Sequence, residues 1–277
     1  DPRVHRPGPV DLGDSRRGGV HTVVGMLTKG SPLSDSLRAK IDSGDVLIGV
    51  IRLGYVGLPL AAAMHAAGYR VRGFDVDPAK IDSLSRGENY LRHLGNEMTR
   101  VLASSDRFDA TADFATLGEP DAVLVCLPTP LNATREPDLS YVERAGAQIG
   151  TTLRAGQLVV LESTTYPGTT RGAFLEAIVA PAKGGPQPGL TLGTDWFLAF
   201  SPEREDPGRT SHTTSTIPKL VGGVDTASTE LAAALYRRAI TEVVAVSSAE
   251  VAEAAKLLEN TFRAVNIALV NETKLAL

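Results

Sequence analysis

The stretch Val46-Leu-Ile-Gly-Val-Ile-Arg-Leu-Gly-Tyr-Val-Gly-Leu-Pro-Leu60 decides the fold. An apolar run that ends in glycines and opens a helix brings backbone N–H groups and the positive helix end to a pyrophosphate. The usual spacing is G-x-G-x-x-G. Gly54 and Gly57 fill the second and third glycine places, and Arg52 stands in the first. Glycine there permits the tight turn, so a side chain brings strain or collision with a nucleotide; alternatively, its guanidinium grips a phosphate. Damage is the expectation of the two, with weak dinucleotide binding that Arg52→Gly improves.

Downstream, apolar runs alternate with helical patterns. Val46–Ile51, Tyr69–Phe74, Asp121–Leu127, Gln157–Glu162, Asp195–Phe200 and Glu242–Val246 read as strands; Leu58–Ala67 and Tyr141–Leu153 read as helices. That alternation predicts βαβ units and an α/β fold, a doubly wound parallel sheet of Rossmann type. Asp75 follows Gly54 by 21 residues and ends the second strand, where an acid meets adenosine ribose hydroxyls. It favours NAD over NADP, since it would repel a 2′-phosphate.

Composition limits what else the chain is. With 277 residues, 43% hydrophobic and 22% charged, it can bury a core. The net charge of −4 and the absence of a dense basic cluster argue against nucleic acid as the main partner. No run of 18 apolar residues suggests a membrane span, and residues 1–30 lack the apolar middle of a secretory signal, so a cytoplasmic location is expected. The lone Cys126 excludes an internal disulfide framework and a multi-cysteine zinc site, and no metal is expected. Residues 1–45 read as a loose leader with one short helix, Ser34–Ser43, stopped by Gly44.

Three loops leave strands on what should be one edge: Cys126–Leu131, Leu161–Thr170 and Phe200–Gly208. They gather hydroxyls and a carboxylate where open α/β sheets bind ligands. Taken singly, Thr129, Thr169 and Thr170 are expected to cap helices and set turns rather than to bind a ligand. A long helix begins near Ala249, after a capping box of Ser247 and Glu250. Its apolar stripe is Val251, Ala254, Leu258, Phe262, Val265 and Leu269. Lys256, Asn260 and Arg263 fall on another face, solvated or aimed together at one site.

In their order these segments resemble the UDP-glucose/GDP-mannose dehydrogenase family. The motifs are Leu53–Leu60, Pro128-Thr-Pro130, Ser163-Thr-Thr165 with Pro167-Gly-Thr169, Ser201-Pro-Glu203, Val221-Gly-Gly223 and Glu253-Ala-Ala-Lys-Leu-Leu-Glu-Asn260, within a match from about Ile41 to Glu272. Glu162–Thr170, Phe200–Gly208 and Thr216-Ile-Pro-Lys219 look most like the UDP-N-acetylglucosamine 6-dehydrogenase branch.

The resemblance implies oxidation of a UDP-sugar's C6 hydroxymethyl group to a carboxylate with two NAD⁺, through a cysteine thiohemiacetal and thioester. UDP-N-acetylglucosamine is the expected substrate, with UDP-glucose, UDP-N-acetylgalactosamine and UDP-N-acetylmannosamine as alternatives. By motif, Gly54, Tyr55, Val56, Gly57, Asp75, Thr129 and Thr164 bind the cofactor. Lys256 and Asn260 steady the oxyanion, Thr164 holds the catalytic water, and Glu203 serves acid–base work or thioester hydrolysis. The implied division is an NAD-binding domain over 46–247 and, over 248–277, the start of a truncated central domain that forms a homodimer in the complete protein. The family's nucleophilic cysteine lies beyond the long helix, so Cys126 is expected to be inert and this chain alone inactive. A noncatalytic remnant is the alternative.

Overall fold

The computed structural model describes residues 30–91, 95–132, 135–180, 189–203 and 217–277. Most of the expected leader therefore lies outside the described residues. In chain order the elements are α1 (Pro32–Ser43), β1 (Leu47–Ile51), α2 (Gly57–Ala66), β2 (Arg70–Phe74), α3 (Pro78–Ser85), α4 (Asn96–Ala103) and β3 (Phe108–Thr111). There follow β4 (Ala122–Val125), α5 (Ser140–Gly150), β5 (Leu158–Leu161), α6 (Leu175–Val179), β6 (Phe197–Phe200), β7 (Lys219–Gly223), α7 (Thr226–Arg237), β8 (Val243–Ala245) and α8 (Ala249–Ala276).

The strands form one sheet in the order β3-β2-β1-β4-β5-β6-β7-β8. The chain winds outward from β1 through β2 to β3, returns to β4, and winds the other way to β6. The order reverses between β1 and β4, and such a switch point leaves a crevice at the strands' carboxyl ends. The expected parallel sheet needs one correction: β6 and β7 pair antiparallel, Ala199 opposite Gly223. β7 starts from the edge where β6 ends, and α7 then crosses back so that β8 runs parallel to β7.

Both faces of the central strands β1, β4, β5 and β6 are buried, which is why they read as continuous apolar runs. Ile48, Val50, Leu124, Val160 and Phe197 face a core shared with α1, α2 and α7. Val123, Val125, Val159, Leu161 and Leu198 face the other, with Val142 of α5, Ile178 of α6 and Ala252 of α8. Each fully buried Leu or Val stabilises the fold by about 1.5–3 kcal/mol.

The short amino-terminal helix begins two residues earlier than expected, at Pro32. Ser31 caps it, and Gly44 ends it at φ +83°. Leu37 and Ile41 enter the same core as β1 and α2. At the other end, the cap of α8 is Ser248 rather than Ser247: its side chain accepts from the Val251 N–H. Glu250 is thus one place short of a capping box and instead meets Arg171 at 2.7 Å.

The apolar stripe of α8 also faces differently from an ordinary amphipathic helix. Ala249, Ala252 and Glu253 are buried, whereas Val251, Leu258, Phe262, Val265 and Leu269 are exposed, Phe262 by 70%. No helix among the described residues is long and apolar enough to cross a membrane.

Candidate coenzyme crevice and active site

The glycine turn forms between β1 and α2. Arg52 holds φ +73°, the left-handed conformation that glycine adopts freely and that costs an L-residue about 1–2 kcal/mol. Its N–H still extends the β1–β2 ladder to the Phe74 carbonyl, at 2.6 Å. Arginine therefore takes up the backbone shape of the missing glycine. The other two glycines are needed for different reasons. A Cβ on Gly57 would stand 1.9 Å from the Arg52 carbonyl oxygen, so this position is fixed by helix–strand contact. A Cβ on Gly54 would meet only the Arg52 guanidinium, with Nη1 nearest at 3.5 Å. Gly54 thus presents open backbone, with the Arg52 side chain lying over it.

Helix α2 starts with Val56 as N-cap. No side chain caps it, and its first turn holds no acid. Its leading N–H groups and positive end are suited to an anion. Tyr55 is exposed, whereas the Val56 side chain packs against the core, so Val56 can serve a ligand only through its backbone.

Asp75 stands at the carboxyl end of β2, 2% exposed. Its Oδ2 accepts from the Leu53 N–H and from Lys80 Nζ, both at 2.9 Å, and its Oδ1 from the Asp77 N–H at 3.0 Å. A carboxylate has about four lone-pair directions, so Oδ1 retains one for a hydroxyl. Sequence reasoning missed Lys80, five residues beyond Asp75 in the first turn of α3; the position is legible from the Pro78 helix start. Tyr90 donates to the Leu53 carbonyl at 2.5 Å, bracing the turn from outside. Burial pushes the Tyr90 hydroxyl above its usual range, with Asp75 and Asp77 adding to the rise.

Arg52, Asp75 and Lys80 line a cavity of about 520 Å³ whose wall also includes Ile51, Val76, Phe114, Leu127 and Pro128, with Asp77, Arg144 and Gln148 adding to its polar side. An apolar slot beside an acid and an uncapped helix end fits an adenosine diphosphate moiety.

The second half of the crevice is built by the loops after β4, β5 and β6, which the parallel register of those strands brings to the same edge. Thr129 Oγ1 donates to the Thr164 carbonyl at 2.6 Å, and Ser163 Oγ accepts from the Leu127 N–H at 3.0 Å. The structure thus joins Thr129 and Thr164 directly. Thr165 Oγ1 is buried with no hydrogen-bond partner among the described residues. Glu203 follows β6, its N–H reaching the Glu162 carbonyl at 3.4 Å. The remainder of the Phe200–Gly208 loop, and Thr216, lie outside the described residues.

Beneath these loops is a dry polar cluster that the sequence did not reveal. Lys219 Nζ lies 2.6 Å from Glu162 Oε2, and the Tyr236 hydroxyl donates to Glu162 Oε1. Burial raises the Glu162 carboxyl above its usual range despite the pull of Lys219. Cys126 is 3% exposed. Burial, then the charges of Glu162 and Glu203, raise its thiol well above normal, the reverse of what activates a nucleophile.

Glu253 ties α8 to the β5 loop. It is fully buried, and its carboxylate accepts from the Gly168 N–H at 2.6 Å, the Thr170 N–H at 2.8 Å and Thr170 Oγ1 at 2.6 Å. Lys256 and Asn260 lie three and seven residues on, along the same helix face. Both are partly buried, with the Lys256 side chain 12% exposed, so this is not a freely solvated face.

The model of the UDP-glucose/GDP-mannose dehydrogenase family NAD binding domain matches residues 46–240. A UDP-N-acetyl-D-glucosamine 6-dehydrogenase of Pseudomonas aeruginosa is 35% identical over 229 residues, 82% of this chain and 52% of that protein. A UDP-N-acetyl-D-mannosamine dehydrogenase of Pyrococcus horikoshii is 35% identical over 229 residues, 81% of this chain and 52% of the relative. The crystal structure of an NDP-N-acetyl-D-galactosaminuronic acid dehydrogenase from Methanosarcina mazei superposes with a TM-score of 0.73 at 35% identity, covering 87% of this chain and 52% of that one. The chain spans about half the length of the curated relatives it matches. The reversed strand order, the glycine turn closed on Gly57 and the acid at the end of β2 are the features of a dinucleotide site, and with the match over 46–240 they make this chain a member of the UDP-glucose/GDP-mannose dehydrogenase family that carries its NAD-binding domain.

Proposed function

We propose that this chain is the coenzyme-binding portion of an NAD-dependent dehydrogenase that oxidises C6 of a UDP-linked N-acetylhexosamine, UDP-N-acetylglucosamine first among the candidates. The observation that supports this reading is that Arg52 and Asp75 line one cavity at the carboxyl edge of the sheet, the same edge from which the loops bearing Thr129, Thr164 and Glu203 leave β4, β5 and β6.

The overall change converts R–CH₂OH, two NAD⁺ and water to R–COO⁻, two NADH and three protons. Bound NAD supplies the hydride acceptor for both oxidations. The backbone of Gly54, Tyr55, Val56 and Gly57 would hold its pyrophosphate, Asp75 and Lys80 the adenosine ribose, and Thr129 and Thr164 the region next to the reacting carbon. Glu203 takes and returns protons, Thr164 orients water, and the Lys256 ammonium with the Asn260 amide stabilises the developing oxyanion. The exposed apolar stripe of α8 supports pairing with a second copy in the complete protein.

A noncatalytic binding module is the second reading. Cys126, the one cysteine in the sequence, is buried and its thiol is held protonated, so the described residues offer no thiolate for a thiohemiacetal. Titration calorimetry with NADH and an absorbance assay with NAD⁺ and UDP-N-acetylglucosamine test the proposal. Expected are NADH binding and no turnover by this chain alone. Failure to bind NADH overturns the coenzyme assignment; steady NADH formation overturns the inactivity.

A further inference from the structure

We infer that Arg52 is a specificity-determining residue of the coenzyme turn: its guanidinium takes the diphosphate of the incoming dinucleotide as an ionic ligand, doing by charge what the usual glycine does by absence. The inference rests on the coenzyme reading above and deepens it.

Two observations carry it. First, the turn is not damaged. Arg52 adopts φ +73°, its N–H remains in the ladder, and Gly57 still packs against its carbonyl. The expected strain is confined to one left-handed residue, so whatever arginine does to a ligand is done by its side chain. Second, that side chain is uncommitted. The guanidinium lines the cavity and lies over Gly54, yet among the described residues it forms no hydrogen bond or ion pair. The nearby acid does not claim it, because Asp75 is already engaged by Lys80 and two backbone N–H groups.

An arginine in a strained conformation, partly buried, with its five donors unpaired among the described residues and beside an uncapped helix end, is complementary to a diphosphate. Its planar fork can bridge two phosphate oxygens, and its flexible stem lets the head move off Gly54 while keeping that contact. The same charge makes binding more sensitive to salt than a glycine turn would be, since the ion pair lies at an open cavity.

Calorimetric titration of the chain and of Arg52→Gly with NADH, ADP-ribose and adenosine, at low and high potassium chloride, tests the inference. Melting curves of both proteins confirm that each is folded. Expected is a loss of about tenfold in NADH and ADP-ribose affinity on Arg52→Gly, as for one charge-assisted contact, with adenosine affinity unchanged. Arg52→Lys should retain part of the affinity, and the glycine variant should show a shallower salt dependence. Equal or tighter binding of NADH by Arg52→Gly overturns the role while sparing the coenzyme reading. Equal loss of adenosine affinity also overturns it, because the effect would then not be at the diphosphate. Absence of NADH binding by both proteins overturns both.

Discussion

Two carboxylates on neighbouring strands sit at opposite edges of the sheet and are treated in opposite ways. Asp121 precedes β4 at the amino edge, where Lys40 at 2.9 Å, Arg154 at 3.0 Å and the Leu47 N–H at 3.2 Å surround it. Burial alone would raise its pKa, but these donors prevail and hold it below the usual aspartate range. Glu162 follows β5 at the carboxyl edge, where burial prevails over Lys219 and holds the carboxyl above its usual range. At the amino edge, partly wet cations staple the end of β4 to α1 and to the segment before β5, and the charge is well served. At the carboxyl edge, a dry pair supports the loops that bear the candidate site, and each partner depends on the other. The same chemistry is therefore fastening at one end and an internal scaffold at the other.

Breaking the dry pair has the largest expected effect. Lys219→Met leaves a buried carboxylate with Tyr236 as its remaining side-chain partner and should cost about 3–5 kcal/mol in urea unfolding. The double variant Glu162→Leu with Lys219→Met should recover most of that loss; a single-variant cost below about 1 kcal/mol would erase the contrast. At the amino edge, Asp121→Asn should cost about 1–3 kcal/mol at neutral pH. Because the folded pKa of Asp121 lies below its unfolded value, this stabilisation is complete above about pH 4 and fades as acid protonates the folded carboxylate. Unfolding curves of wild type and Asp121→Asn should accordingly converge in acid; a gap that persists at low pH would place the effect in packing instead. Smallest is Lys40→Met, expected near 0.5 kcal/mol by thermal denaturation, since the lysine side chain is 46% exposed and Arg154 still serves Asp121.

The contrast also separates what could be read from the chain. The buried strands β1, β4, β5 and β6 were legible because both their faces are covered and their residues are almost wholly apolar, and β2 was legible from Val71 and Phe74 between its arginines and from Asp75 at its end. β3 was not: Phe-Asp-Ala-Thr is four residues at the sheet's edge, too short for a period to appear. β7 was quoted as a motif but not seen as a strand, because Gly222 and Gly223 conceal it. Gly222 is small there for a tertiary reason, since a Cβ would fall 2.1 Å from the Ser248 carbonyl oxygen at the start of α8. In the candidate site, Asp75 was legible from its spacing to Gly54, and the Thr129–Thr164 neighbourhood from the order of the loops. The Glu162 cluster was not, because its partners stand 57 and 74 residues away in sequence. Glu253 lay in plain view inside a quoted motif, but its use depends on a loop 83 residues earlier.

Glu253 has a mechanical consequence as well. Helix α8 has 28 residues, so at 1.5 Å per residue it is about 42 Å long, and every residue from Thr261 onward is exposed. Its root is held where one carboxylate grips the backbone of Gly168 and Thr170. One carboxylate therefore sets both the position of the loop that bears Thr164 and the direction of α8, and a tilt of roughly 5° about that root would move the Ala276 turn by roughly 3 Å.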